Sequence, residues 1–338
     1  MDHSLPLSEI ADEITAIELE TTDESLINPG ELVRIIITEN YIITVEFSLA
    51  GFSQVLVFNR DGKFIRSVGA RGQGPGEFNI IINAAFDDKN NRLFIFSWPP
   101  SKIIRYQLDG KFLEESRLDS SWIIWDLNYI NNELFIHCKF DADKTKTALY
   151  RLNDDFMVAD SGIINERYYS SEYNSLNFIV KNNTSVYYYS PEVYPKWLAP
   201  EEKVLRDTLY RLADNQLVPE LKLKFGNDGF DKSGDKIVDL YNIYRSSRYV
   251  FVLYRKNPNN TQSNLEIRKM YNFCYDTKTG KGYNMQDGFT DDINGIEKRV
   301  SIHPLHTDSE IFYYWYTHIK PDDSEEPNPT LYIIKLKK

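Results

Sequence analysis

The sequence has little of what several protein classes need. It holds two cysteines, Cys138 and Cys274, in 338 residues. That is too few for a disulfide framework, and the pair reads as two buried small apolar residues. No run approaches the roughly 18 apolar residues of a membrane span. Positive charge is short: 39 Lys and Arg stand against 50 Asp and Glu, a net charge of −11. Nucleic acid, whose phosphates require a basic face, is thereby excluded as the expected partner. An anionic membrane surface is disfavoured for the same reason. Met1-Asp2-His3-Ser4 lacks the basic and apolar start of a signal peptide, which fits an expression start before a mature protein whose targeting segment was removed. Neither Gly-x-Ser-x-Gly nor His-Glu-x-x-His occurs, so two common catalytic signatures are missing.

What is present points to β structure. Hydrophobic residues are 42% and charged residues 26%, the balance of a globular chain. The 23 Tyr and 19 Phe, beside few Ala, favour strands. All-β propellers commonly reach this length as one unit.

Residues 55–78 set the pattern. Val55 and Val57 belong to a strand, Asp61-Gly62 to a tight turn, and Phe64 to Val68 to the returning strand. Arg71-Gly72-Gln73-Gly74-Pro75-Gly76-Glu77-Phe78 then reads as a connector that is neither helix nor strand. Asp-Gly-Lys-Phe recurs at Asp61 and Asp109, 48 residues apart; a period of that size in a strand-only chain indicates a propeller. Four-strand units follow at about residues 33–69, 80–118, 123–164, 176–225, 236–284 and 296–336. Ala148-Leu149-Tyr150-Arg151-Leu152, Thr208-Leu209-Tyr210-Arg211-Leu212 and Thr330-Leu331-Tyr332-Ile333-Ile334 fill the same third-strand slot. The sixth unit has three strands, from Glu297–Ile302 onward, and Thr15–Glu20 is an orphan strand. Pairing the two closes a ring and removes a sheet edge. The expected fold is therefore all-β: a single-domain, six-bladed β-propeller of four-stranded antiparallel blades. The N-terminal strand 15–20 closes it, and residues 1–14 form a polar extension holding a short turn.

The connector, with Arg92-Leu93-Phe94-Ile95-Phe96 and Ile103 to Phe112, resembles an NHL repeat. The whole chain resembles the six-bladed β-propeller lipoproteins of Bacteroidales. The landmarks are Leu19-Glu20-Thr21-Thr22, Arg71 to Phe78, Arg206-Asp207-Thr208-Leu209-Tyr210, Tyr275 to Lys281, and Asn328-Pro329 to Leu336. The resemblance implies the fold and an extracytoplasmic setting, in the periplasm or on the outer membrane. Membrane association would come only through a lipid anchor on a removed segment. It implies no reaction. Only one junction carries the full glycine-rich connector.

In such blades the first-to-second and third-to-fourth turns share one face, and here they are tight. The other face carries the long insertions, including 190–206, 255–268 and 318–329, and is the expected binding face. Arg71, Gln73 and Glu77 could cradle an anionic or peptide ligand through backbone N–H groups; the alternative is a connector that only turns sharply. Trp98, Trp122 and Trp197 fall on the same face and suit a glycan or peptide groove, with packing between blades as the alternative. Asp287, Asp291 and Asp292 could take Ca²⁺, though they lack the 12-residue loop pattern; a solvated acidic loop is the simpler reading. His303-Pro304-Leu305-His306 reads as solvated loop, since no third zinc ligand is near. The leading expectation is a monomeric, noncatalytic propeller that binds a peptide, glycan or partner protein and needs no cofactor. The alternative is a calcium-dependent propeller hydrolase or lyase with a metal in the central channel. A structural module of an envelope assembly is a third.

Overall fold

The structure, a computed structural model, describes residues 4–48, 53–120, 122–140, 147–165, 179–182, 185–189, 207–213, 216–225, 229–230, 232, 237–256, 269–318 and 326–338. The chain packs as two compact units. One comprises Met1–Ile14, Tyr169–Tyr314 and Ile334–Lys338; the other comprises Thr15–Tyr168 and Trp315–Ile333.

A short helix α1 (Leu7–Ile10) leads into β1 (Ala11–Glu18). The second unit holds three antiparallel sheets, each with its strands in chain order. They are β2 (Leu32–Ile37), β3 (Tyr41–Glu46), β4 (Gln54–Asn59) and β5 (Phe64–Ser67). After a parallel pair, β6 (Ala70–Arg71) and β7 (Glu77–Phe78), come β8 (Ile80–Asp87), β9 (Arg92–Trp98), β10 (Lys102–Gln107) and β11 (Phe112–Arg117). The third is β12 (Trp122–Ile130), β13 (Glu133–Phe140), β14 (Thr147–Leu152) and β15 (Val158–Asn165).

The first unit repeats the plan twice. One sheet is β16 (Ile179–Asn182), β17 (Ser185–Tyr188), β18 (Thr208–Ala213) and β19 (Gln216–Lys222). The other is β20 (Val238–Arg245), β21 (Tyr249–Lys256), β22 (Lys269–Asp276) and β23 (Lys281–Gln286). A last sheet runs β1-β26-β25-β24, with β24 (His303–Leu305), β25 (Asp308–Tyr316) and β26 (Thr330–Leu336). The described residues thus form six four-stranded sheets, and the N-terminal strand pairs with the C-terminal one.

Burial grades across each sheet. β2, β3 and β4 are buried almost throughout, which is why they read as mainly apolar runs, with Arg34, Thr44 and Glu46 as buried exceptions. The fourth strands β5 and β11 are largely exposed. In the second unit Phe94, Phe96, Ile103, Ile124, Leu127, Ile136 and Cys138 form one cluster between the second and third sheets. Burial of each large apolar side chain contributes about 1.5–3 kcal/mol. Arg105 closes the edge of this cluster, its guanidinium carbon 4.6 Å from the Phe156 ring and 5.2 Å from the Phe94 ring. The first unit has its own cluster of Tyr187, Tyr189, Leu209, Val238, Leu240, Ile243, Val250 and Val252.

Three expectations change. The extension is not a polar turn: Leu5, Leu7, Ile10 and Ala11 are buried, and β1 begins at Ala11. The first strand of the last sheet is not Glu297–Ile302. Val300 makes a single bridge to Phe289, and the ladder forms three residues later at His303–Leu305. That stretch is therefore not solvated loop; His306 is 1% exposed, and burial pushes His303 down to about 4. Pro304 hid the strand, yet β24 is an edge strand, where proline is tolerated.

Candidate functional site

In the second sheet β8 starts, β9 ends, β10 starts and β11 ends at the same end. Ile80 lies opposite Trp98, and Lys102 lies opposite both Ser97 and Arg117. The connector from the first sheet arrives there. Gly74-Pro75-Gly76-Glu77 is a tight turn, with Glu77 N–H donating to Gly74 O at 3.1 Å and Gly76 at φ 73°. Pro at the second position and a left-handed Gly at the third define a type II turn. The flanking residues pair in parallel, Ala70 with Glu77 and Arg71 with Phe78, so the connector does contain a short ladder. Phe78 is buried, and Tyr106 OH donates to Gly76 O.

The connector's N–H groups are occupied by the protein's own carboxylates. Glu77 Oε2 accepts Gly74 N–H at 2.8 Å, and Glu115 Oε2 accepts Gly76 N–H at 3.0 Å. Burial acts to raise Glu115, but Lys102 Nζ at 2.8 Å and Gly76 N–H outweigh it and hold the carboxyl below its ordinary value. A Cβ on Gly72 would stand 2.0 Å from Glu77 Oε2, so a side chain there would require the Glu77 carboxylate to shift. The cradle is thus filled from within, and Glu77 organises the turn. Arg71 and Gln73 are exposed on the same connector.

Trp98 stands beside it. The indole is 49% exposed, and Pro99 and Pro100 after it are exposed too. Asn79 bonds the residues on either side of Trp98: Asn79 N–H donates to Ser97 Oγ at 3.2 Å and Asn79 Nδ2 to Pro99 O at 2.5 Å. Arg71, Gln73 and Trp98 therefore belong to two segments that Asn79 ties together. Trp122 is separate in kind: half-buried, it stacks on Tyr150 at 5.0 Å with the rings 2° apart and packs on the core cluster. Trp197, the side chain of Trp125, residues 190–206 and 257–268, and most of the acidic run 322–326 lie outside the described residues.

The aspartates of the later connector, in the first unit, do not converge. Asp291 accepts Ile293 and Asn294 N–H and, at 2.6 Å, Tyr314 OH. Asp292 takes the N–H and hydroxyl of Ser8. Asp287 is exposed and accepts Gln286 Nε2 at 3.0 Å. Among the described residues no group of three His, Cys, Asp or Glu could hold a metal ion.

The sequence reading missed a buried polar cluster on the first strands of the second unit. β2, β8 and β12 each carry a bulge followed by a polar residue: Arg34, Asn83 and Asp126. Arg34 Nη2 meets Asp126 Oδ1 at 2.6 Å, and both side chains are 1% exposed. Asn83 Nδ2 and Leu127 N–H also donate to Oδ1, while Asn128 Nδ2 donates to Oδ2. Asp126 is therefore neutralised and saturated, which leaves it poorly placed to bind a metal. β20 repeats the device at Asn242, after its own bulge. One polar residue interrupting an apolar strand, at the same place in four units, was the signal in the sequence. Two other groups were missed. Glu46 at the end of β3 is 2% exposed, and burial pushes it up to about 7. His318 Nε2 lies 2.7 Å from Tyr332 OH, its ring edge-on to Tyr316.

The family model described as a domain of unknown function (DUF4934) matches residues 1–336. No curated protein matches the chain. Among solved structures, a Bacteroides fragilis protein provisionally described as exported is similar at 19% identity, TM-score 0.68, covering 100% of this chain and 98% of that one. A DUF4221 family member from Bacteroides vulgatus is similar at 9% identity, TM-score 0.53, covering 97% of each chain. The WD40 repeats of RRP9 match at 9% identity, TM-score 0.44, covering 96% of this chain and 100% of theirs. At these identities the likeness to the two Bacteroides structures concerns the fold alone.

Proposed function

This chain belongs to the DUF4934 family, and on that premise we propose that it is a noncatalytic binding propeller. Its six four-stranded sheets are the blades, and the pairing of β1 with β26 closes the ring. The ligand is a peptide, glycan or partner protein, taken at the connector end of the sheets. The Bacteroidales resemblance, together with the export ascribed to the Bacteroides fragilis protein, supports an extracytoplasmic setting.

The observation that carries this reading is Trp98. A half-exposed indole between Ser97 and Pro99, the two residues that Asn79 holds, offers a flat apolar face on which a ligand can stack. Arg71 and Gln73 on the adjoining connector supply polar groups. The test is a screen of glycan and peptide libraries, followed by deuterium-exchange footprinting of a hit. Protection is expected at residues 71–79 and 97–101, and Trp98→Ala should weaken binding by roughly tenfold or more. Protection confined to the tight turns at Asp61-Gly62 and Asp109-Gly110, with Trp98→Ala binding normally, would overturn it.

A further inference from the structure

Residues 21–31 lead into β2 and are clamped from two sides. On one side is Asn328, 5% exposed. Its Oδ1 accepts Ile27 N–H at 2.7 Å, and its Nδ2 donates to Glu20 O and Ser25 O. On the other side is Glu46. Its Oε2 accepts Asn28 N–H at 3.1 Å and its Oε1 accepts the Gln54 amide at 2.9 Å. The same Gln54 nitrogen donates to Leu26 O at 2.8 Å. Phe47 N–H bonds Glu31 O at 2.8 Å, and the Glu31 carboxylate bears on Glu46 with like charge. Among the described residues no cation pairs with Glu46.

The neighbouring sheet does the same job without a charge. Ser97 is the sixth residue of β9, as Glu46 is of β3, and its hydroxyl accepts the N–H of the incoming connector residue Asn79. A neutral side chain therefore suffices to hold a connector at this position. The carboxylate adds a property that holding does not require. Burial in the dry, strapped arrangement disfavours its charged form and outweighs Asn28 N–H and the Gln54 amide, which favour it, and that penalty is relieved once water reaches the carboxyl.

We propose that Glu46 is a proton-operated latch: protonated, it leaves residues 21–31 strapped to β3 and β4, and its ionisation favours release of the strap. Leu26, 52% exposed at the crest of the strap, marks the surface that changes. The strapped state binds the proton more tightly than the open state, so acid closes the latch and alkali loosens it.

Deuterium exchange of the full chain tests this, with rates corrected for the intrinsic effect of pH. With Glu46 pushed from 4.5 to about 7 when strapped, the opening constant of residues 21–31 should rise about tenfold from pH 6 to pH 8. Glu46→Gln and Glu46→Ser, the latter borrowing the solution at Ser97, should show no such rise. A flat wild-type constant, or a rise that persists in both variants, overturns the latch. Should neither variant fold, the wild-type Glu46 carboxyl is titrated by isotope-edited NMR. A midpoint near 7 supports the latch and one near 4.5 overturns it.

Discussion

Arg34 and Asp126 show how much a single residue can decide when buried. Each sits at 1% exposure with the other as counter-charge. Removing one partner leaves the other charged and dry, a cost of about 3–5 kcal/mol. Asp126→Ala should therefore lower the unfolding free energy by roughly that amount in urea titrations, with Arg34→Met near neutral in the Asp126→Leu background. Glu46 makes the opposite case, a buried carboxylate with no cation beside it among the described residues. Its folded value, about 7, lies above the unfolded 4.5. The stability it contributes is full below 4.5 and is lost as pH rises through 7. Glu46→Gln should thus stabilise the protein at pH 8, by roughly 3 kcal/mol at most, and leave it nearly unchanged at pH 4. Equal effects at both pH values in urea titrations would count against this. None of these pairings was legible from composition. Arg34 and Asp126 are 92 residues apart, and only folding brings them into one cluster.

At the scale of the element, identical sequence signals acquire different weights. Asp61-Gly62 and Asp109-Gly110 both read as hairpin turns, and both glycines have left-handed φ, 81° and 92°. Gly110 meets nothing within 4 Å, whereas a Cβ on Gly62 would stand 2.0 Å from Glu18 O. Gly110→Ala should cost about 1 kcal/mol, for backbone strain alone. Gly62→Ala should cost clearly more, because it also pushes the turn off the end of β1; urea midpoints of the two variants decide. Turns and strands were readable because their causes are local: φ > 0 at glycine, apolar runs of strand length. The connector 69–78 was only half readable. Its glycines announced a turn, but Glu115 as the acceptor of Gly76 N–H depends on β11 lying alongside.

At the scale of the molecule, both cysteines are free and buried, and burial pushes the Cys274 thiol far up. Reductant should leave Tm unchanged, and alkylation of both thiols should require unfolding. Deleting residues 1–18 would strip β1 from β26 and bare a strand edge. A lower Tm and concentration-dependent light scattering are expected. An unaltered Tm would argue against ring closure by the N-terminal strand. The sequence by itself determined that the chain is all-β, in four-strand units whose order repeats, because strand period, turn chemistry and repeat spacing are properties of short stretches. Only the tertiary structure decided that Leu7 and Ile10 are core rather than extension and that His303–Leu305 is strand rather than loop. It alone placed Asp126 beneath a guanidinium and buried Glu46 with none among the described residues. Burial and charge pairing depend on partners tens or hundreds of residues away, and no local pattern carries them.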